Sequence, residues 1–496
     1  MDTETRIISE RKQKLEEFRK AGINPYSYRY DKTALASEIK EVYEKLKPEQ
    51  KDSMRNAVRL AGRVMAKRLM GKASFAQLLD GSGQIQLYFR QDELGRKAYE
   101  LFKKLDVGDI IGVEGSVFKT KTGEVTINVK KFELLTKSLR PLPEKFHGLK
   151  DTELRYRQRY VDLIVNPGVK KTFIIRSKII QAIREFLHQE GFIEVETPVL
   201  QPVYGGATAK PFITHHNALN MDLYLRISDE LYLKRLIAGG FEKVFEFCVD
   251  FRNEGIDTKH NPEFTMMETM AAYDDYTDSM KRTERMMEYV AKKVLGTTEI
   301  VYDGKRISLK PPFKRIRMVD AVREVTGFDF SNLKEVDVED ARRVARKHGV
   351  EIDDDMSAGF ILAELCSELV EPRIVQPTFI LDYPRDVSPL AKPVRDNPDF
   401  TERFELIVAG MELGNMYSEL NDPTELRKNW EAQEQRLSKG DETAQRTDED
   451  FIRALEYGMP PTSGIGIGID RLVMLLTNNT SIREVIFFPT LRPEKK

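Results

Sequence analysis

Between residues 58 and 135, apolar and polar residues alternate in five short segments: VRLAGRVMAKRLM, ASFAQLLD, GQIQLYFR, DIIGVEGSVFKT and EVTINVKKFELL. Successive side chains of an extended chain point to opposite faces. A period of two therefore marks half-buried strands and excludes an amphipathic helix over the same residues. Asp80-Gly81-Ser82-Gly83 and Lys121-Thr122-Gly123 supply turns between the segments, and residues 92–105 read as one helix after the third strand.

Five strands with a helix between the third and fourth is the element order of an OB-fold, a small barrel that takes single-stranded nucleic acid on its sheet face. Charge points the same way. Residues 1–150 hold 31 Lys+Arg against 21 Asp+Glu, and the rest of the chain holds 48 against 59, so a whole-chain net of −1 conceals a basic third and an acidic remainder. A basic surface suits a polyanion, and an acidic one suits cations or cationic ligands. Residues 3–21 read as an amphipathic helix, with Ile7, Ile8, Leu15 and Phe18 on one side and six basic residues elsewhere. That helix is either a polyanion contact or an ordinary surface helix.

With 496 residues, 41% hydrophobic and 32% charged, the chain has enough apolar surface for a sizeable core. No stretch reaches the ~18–20 apolar residues of a bilayer span, and the N-terminal residues lack an apolar leader, so a cytoplasmic protein is expected. Cys248 and Cys366, the only cysteines, cannot build a disulfide framework or a four-sulfur zinc site. The expected organisation is an N-terminal helical extension (1–55), the OB-fold domain (56–143), a polar connector (144–165) and a larger domain (166–496). The larger domain opens with a helix over 172–189 and carries an insertion at about 300–375, which starts with a hairpin turning at Asp303-Gly304.

Three segments of that larger domain, GFIEVETPVL (191–200), FRNEG followed by HNPEFTMMET (251–269), and GIGIGIDR (464–471), resemble the three signature motifs of the class II aminoacyl-tRNA synthetases. KPFITHHNAL, ELYLKRL, YSELNDP and ALEYGMPP are similar to lysyl-tRNA synthetases of the bacterial type. The resemblance implies an α+β protein: an N-terminal OB-fold β-barrel that binds the anticodon, then a class II catalytic domain built on an antiparallel sheet flanked by helices. It further implies a homodimer that activates lysine with ATP and Mg²⁺ and transfers the lysyl group to lysine tRNA.

Transfer at the α-phosphate of ATP asks for fixed positive charge, metal ions on the polyphosphate and a flat slot for adenine. By resemblance, Arg252, Glu254 and Arg471 are catalytic. Lys259 and His260 meet the triphosphate, Phe264 and Arg471 enclose adenine, and Glu405 and Glu412 hold magnesium. These two glutamates are seven apart in RFELIVAGME, so on one regular strand a bulge near Gly410 must re-aim one of them. Glu230, Glu268 and Glu419 meet the two ammonium groups of lysine, with Gly206, Arg252, Met270, Asn415 and Tyr417 completing the pocket; Gly205 beside Gly206 is expected to allow close backbone approach. An isolated ammonium is costly to bury, so three acids answering one diamine is also an argument from charge. In the barrel, Phe75 and Gln86 are matched to the central anticodon uridine, with Arg63 as a phosphate or base contact. Phe75 equally suits an inward place in a barrel core.

Several positions depart from the family pattern. Met270 stands where a tyrosine is usual, Ser228-Asp229 where Ala-Pro is usual, and Val249 and Met411 replace arginines. Motif 3 begins Ser463-Gly464 in place of a glycine pair. Two other readings follow from these changes: a paralogue that ligates lysine or an analogue to a protein, and a catalytically impaired tRNA-binding protein.

Overall fold

The computed structural model describes residues 3–45, 57–143, 149, 151–438 and 446–494. The boundaries expected at 55–56 and 143–144 involve residues outside that set. The chain divides into two compact units, Met1–Lys150 and Asp151–Lys496.

In the first unit the five alternating segments form β1 (Val58–Met70), β2 (Ala73–Leu79), β3 (Gln84–Arg90), β4 (Ile110–Lys119) and β5 (Val125–Thr136). They close a barrel in the order β1-β2-β3-β5-β4, with β1 returning to pair with β4. The alternation sends Leu60, Val64, Leu78, Leu87, Val113 and Ile127 inward, all fully buried. The insert after β3 is two helices, Gln91–Leu94 and Arg96–Lys104, separated at Gly95, and Phe102 of the second stacks on Phe89 at 3.9 Å. The helices Thr3–Lys20 and Ala36–Lys45 share the barrel's core, contributing Phe18, Ala36, Ile39 and Tyr43. Of the basic residues on the first helix, Arg11 points inward and donates to the Val107 and Arg140 carbonyls, each at 3.0 Å.

The second unit opens with the helices Thr152–Arg157 and Arg159–Val165, where a polar connector was expected. Arg159 is fully buried there and is bonded to Asp162 (2.6 Å) and to the Arg483 carbonyl (2.7 Å). The helix Pro167–Gln189 follows, starting five residues earlier than the apolar spacing suggested, with proline at its first position. The strands of this unit are β6 (Ile193–Glu194), β7 (Leu200–Gln201), β8 (Ile213–His216), β9 (Met221–Leu225), β10 (Lys243–Phe251), β11 (Glu263–Ala272), β12 (Glu299–Tyr302), β13 (Lys305–Ser308), β14 (Lys314–Arg317), β15 (Thr378–Pro384), β16 (Pro393–Val394), β17 (Asn397–Val408), β18 (Met411–Ser418) and β19 (Thr462–Gly468). The main sheet runs β14-β15-β17-β18-β19-β11-β10-β6, with β16 beside β17.

The centre of this sheet is antiparallel, as expected, but both edges are parallel: β6 with β10, and β14 with β15. Parallel neighbours need a crossover, and the sequence between each pair supplies one. The helix Glu230–Ala238 lies between β6 and β10, and three α-helices starting at Met318, with two short helical turns after them, lie between β14 and β15. The insertion thus contributes an edge strand of the main sheet. Its hairpin β12–β13 turns at Asp303-Gly304.

One face of the sheet packs on the helices Pro167–Gln189, Tyr276–Leu295 and Ile469–Thr477, with Phe245, Met267, Leu413, Ile465 and Ile467 directed into that core. Alternation turns Glu246, Glu268 and their neighbours to the opposite face, where the candidate site forms.

Candidate active site

Arg252 follows β10 directly, and Phe264 lies on the returning strand β11, so this hairpin carries both on the open face; the guanidinium sits over the Phe264 ring at 5.0 Å. In the turn between them Asp257 accepts from the backbone amides of Lys259 (2.6 Å) and His260 (2.8 Å) and from His260 Nδ1 (2.8 Å). With Nδ1 donating, His260 Nε2 accepts from Arg471 Nη2 at 3.0 Å. Arg471, at the start of the helix Ile469–Thr477, also donates to the Glu412 carbonyl (2.8 Å) and to Glu412 Oε2 (3.2 Å). Lys259 Nζ reaches the Gly410 carbonyl at 2.9 Å. Glu254 is exposed beside this group.

Glu405 and Glu412 are not on one strand. β17 ends at Val408, Ala409 and Gly410 take left-handed φ values of 51° and 72°, and β18 begins at Met411. The residue at Gly410 belongs to a hairpin turn, for which two consecutive positive φ values are the requirement. The bulge lies further along: Leu406 pairs with Gly414 and Ile407 with Glu412, leaving Leu413 as the extra residue. Two adjacent antiparallel strands, and not a kink in one, bring the carboxylates together. Glu405 is held above the usual carboxylate range by burial first and Glu412 second. Glu371 of the insertion joins them and is pushed up to about 8, again by burial and then by these two neighbours. Three carboxyl groups near enough to raise one another, with oxygen donors alone, suit a hard divalent cation.

At the other end of the site Lys234 is fully buried, with Nζ 2.5 Å from Glu230 Oε1 and in contact with Glu419 Oε2. The Tyr417 hydroxyl donates to Glu230 Oε2. Ser228 Oγ donates to Glu268 Oε1 at 3.3 Å and accepts from the Glu230 amide at 3.1 Å. Burial raises Glu268 well above its ordinary value and, despite Lys234, carries Glu419 to about 8. Asn415 Oδ1 accepts from Arg403 Nε at 2.9 Å, and Arg403 Nη2 also holds Glu405 Oε1 at 2.6 Å. Gly206 has a φ of 88°, and a Cβ there would lie 2.9 Å from Ser228 Oγ. Gly205, expected beside it, packs instead on Leu231, 2.7 Å from where a Cβ would stand.

All fifteen residues matched to ATP, lysine or magnesium by resemblance line one cavity of about 620 Å³. Arg403, Glu371 and Tyr383, which the resemblance did not single out, also line it. Lys234 and Arg403 carried a local signal, being four residues from Glu230 on a helix and two from Glu405 on a strand. Glu371 carried none, since only the crossover brings it to the hairpin.

In the barrel, Phe75 pairs with Tyr88 and Gln77 with Gln86, on the face opposite buried Ala76 and Leu78. Phe75 is therefore outward, its ring 4.8 Å from that of Tyr88. Gln86 donates to Glu124 (2.7 Å) and accepts from Thr126 (2.9 Å). Arg63 is half-buried and donates to the Gly108 carbonyl at 2.8 Å.

Residues 151–492 match the family model described as tRNA synthetases class II (D, K and N), and residues 58–135 match that of an OB-fold nucleic acid binding domain. The chain is 57% identical over 487 residues to a lysine–tRNA ligase of Carboxydothermus hydrogenoformans, covering 98% of both proteins. The chain belongs to the lysine–tRNA ligase family of class II tRNA synthetases. It is also 54% identical to the lysine–tRNA ligase of Moorella thermoacetica over the full length of both, and 54% identical to that of Bacillus subtilis over 97% of this chain and 96% of the relative. The synthetase motifs found in the sequence thus sit in an aminoacyl-tRNA ligase, with an OB-fold unit in front. No helix among the described residues is long and apolar enough to cross a membrane.

Proposed function

We propose that this synthetase activates lysine with ATP and Mg²⁺, releases pyrophosphate, and esterifies the lysyl group to the 3′ end of lysine tRNA, as a cytoplasmic homodimer. The observation that carries this reading is the charge balance at the closed end of the cavity. Glu230, Glu268 and Glu419 are all nine-tenths buried or more, and Lys234 supplies a single internal cation against them. Two carboxyl groups are left over, both held up by burial while the pocket is empty, and the two ammonium groups of lysine would favour their ionised form. Its carboxylate then faces Arg252, whose Nε is buried without a hydrogen-bond partner. A neutral amino acid would leave this floor short of positive charge.

Arg252 and Arg471 are positioned to offset charge growing on the phosphate oxygens, held in place by Phe264 and by the Glu412–His260 pair respectively. Glu405 and Glu412, with Glu371 behind them, would hold Mg²⁺, which supplies charge neutralisation on the polyphosphate when bound. Arg403 fixes both Glu405 and Asn415, so the phosphate end and the amino-acid end share one rigid anchor. A dimer is supported by the exposed apolar residues Ile193, Val199 and Leu200 around Pro198, with Ile174 exposed on the helix Pro167–Gln189. The outward ring of Phe75 favours a nucleic-acid acceptor over a protein one.

ATP–pyrophosphate exchange with each of the twenty amino acids tests the reading. Lysine should support exchange at least ~100-fold better than any neutral amino acid, since an unpaired buried charge costs several kcal/mol. Exchange that is best with a neutral amino acid would overturn it.

A further inference from the structure

Behind the lysine pocket, on the same face of the main sheet, lies a second cluster. Cys248 and Asp250 alternate along β10, and Asp229 stands at the N-cap position of the helix Glu230–Ala238 without a side-chain capping bond. Cys248 Sγ and one carboxylate oxygen from each aspartate lie within 4.8 Å of one another. Asp229 and Asp250 are fully buried, and their polar neighbours are mainly other acids: Asp229 shares a hydrogen bond with Glu268, and Asp250 with the Cys248 thiol. Buried acids gathered on one another are among the costliest groups a fold can hold, so something of positive charge is expected at that point.

The chain supplies it only in part. Arg252 and Arg226 both act on Asp250, Arg226 Nε from 3.5 Å, but the Arg226 guanidinium also serves Glu246 Oε1 (2.7 Å) and the Val249 carbonyl (3.0 Å). Lys234 is committed to Glu230 and Glu419. Glu268 adds a further acid beside the group, and it is occupied on one oxygen by Ser228.

We infer that Asp229, Cys248 and Asp250 form a binding site for a divalent cation of the zinc class, separate from the magnesium-type carboxylates Glu405 and Glu412. Thiolate with carboxylate selects a borderline-soft ion such as Zn²⁺ or Co²⁺ over Mg²⁺. Metal–oxygen bonds of about 2.0 Å and a metal–sulfur bond of about 2.3 Å place such donors roughly 3.3–3.7 Å apart, so the three side chains close by about an ångström on binding. The Cys248 thiol gives up its proton to solvent as the metal–sulfur bond forms. A cation here ties the first turn of the helix that carries Glu230 to the strand opposite Glu268, and so braces the lysine pocket from behind.

The test uses the full chain, stripped with a chelator and titrated with Co²⁺ in excess Mg²⁺, so that the hard-oxygen site is filled. One equivalent of Co²⁺ should produce thiolate-to-cobalt charge-transfer absorption in the near ultraviolet, and Zn²⁺ should bleach it. Cys248→Ala should abolish the band and Cys366→Ala, which removes the only other thiol, should keep it. Asp229→Asn and Asp250→Asn should each weaken Co²⁺ binding by roughly 10- to 100-fold or more. No charge-transfer band in the unaltered chain, or one that survives Cys248→Ala, overturns the inference. Should Cys248→Ala fail to fold, unchanged cobalt affinity in Asp229→Asn overturns it equally.

Discussion

Lys234 donates to Glu230 across one turn of their shared helix, Nζ to Oε1 at 2.5 Å, and its ammonium touches Glu419 on the far side. Removing that cation leaves two buried carboxylates without their internal partner. Lys234→Met should therefore cost ~3–5 kcal/mol of stability. Glu419 ionises at about 8 with Lys234 beside it, and losing Lys234 raises it further, so at pH 6 the carboxyl is protonated with or without the lysine. The loss should then be smaller at pH 6 than at pH 9, as measured by denaturant unfolding at the two values. An equal loss at both would show that Lys234 does not neutralise this pair.

Glu371 gives a second pH dependence. Its carboxyl ionises near 4.5 in the unfolded chain and near 8 in the folded one. Between those values the native state holds a proton that the unfolded state has released, so this group's contribution is present in full below pH 4.5 and is lost as pH rises through 8. The slope is at most about 1.4 kcal/mol per pH unit. Without metal, the melting temperature should fall from pH 5 to pH 8, and Glu371→Gln should remove part of that fall. Mg²⁺ with ATP should flatten it as well, by offsetting the charge that Glu405 and Glu412 impose.

Phe75 lies outside the barrel core, so its removal should separate binding from folding. Phe75→Ala should weaken lysine tRNA binding by about 1–3 kcal/mol through lost stacking, while the unfolding of the chain changes little. Filter binding together with thermal unfolding of the same variant decides the point, and a variant that fails to fold would return Phe75 to a core role.

Met270 is buried at the back of the pocket, and a Cβ at Gly464 would lie 3.1 Å from its sulfur and 2.2 Å from Glu419 Oε1. Glycine is what lets both side chains approach the strand there. A thioether fills that space without directing a hydrogen bond to the carboxylates. Lysine should remain the preferred amino acid, with discrimination against ornithine weaker than in Met270→Tyr. One methylene is worth about 1–3 kcal/mol, so competition assays should resolve the difference.

The barrel was legible because alternation marks strand identity; which side of β2 faces outward stayed open in the sequence, because ASFAQLL carries apolar residues on both faces, and the burial of Ala76 and Leu78 decides it. The site was legible wherever motif residues lie on paired strands, as with Arg252 and Phe264 on one hairpin. What escaped came from chain reversals and crossovers. The stretch from Arg403 to Glu412 reads as one strand because Ala409-Gly410 lacks the Asn-Gly or Asp-Gly signature of a tight turn, although both residues have positive φ. Glu371 reaches the site only through the crossover between β14 and β15. The buried acid cluster of Asp229, Cys248 and Asp250 is invisible without the placement of the helix Glu230–Ala238 over β10.

Charging of a lysine tRNA transcript by the full chain, with lysine, ATP and Mg²⁺, tests the central claim most directly. The account predicts lysine esterified to the 3′ end of the transcript, with product lost when the central anticodon uridine is replaced. Lysyl-adenylate formed without any charging of tRNA, or lysine delivered to a protein acceptor instead, would contradict it.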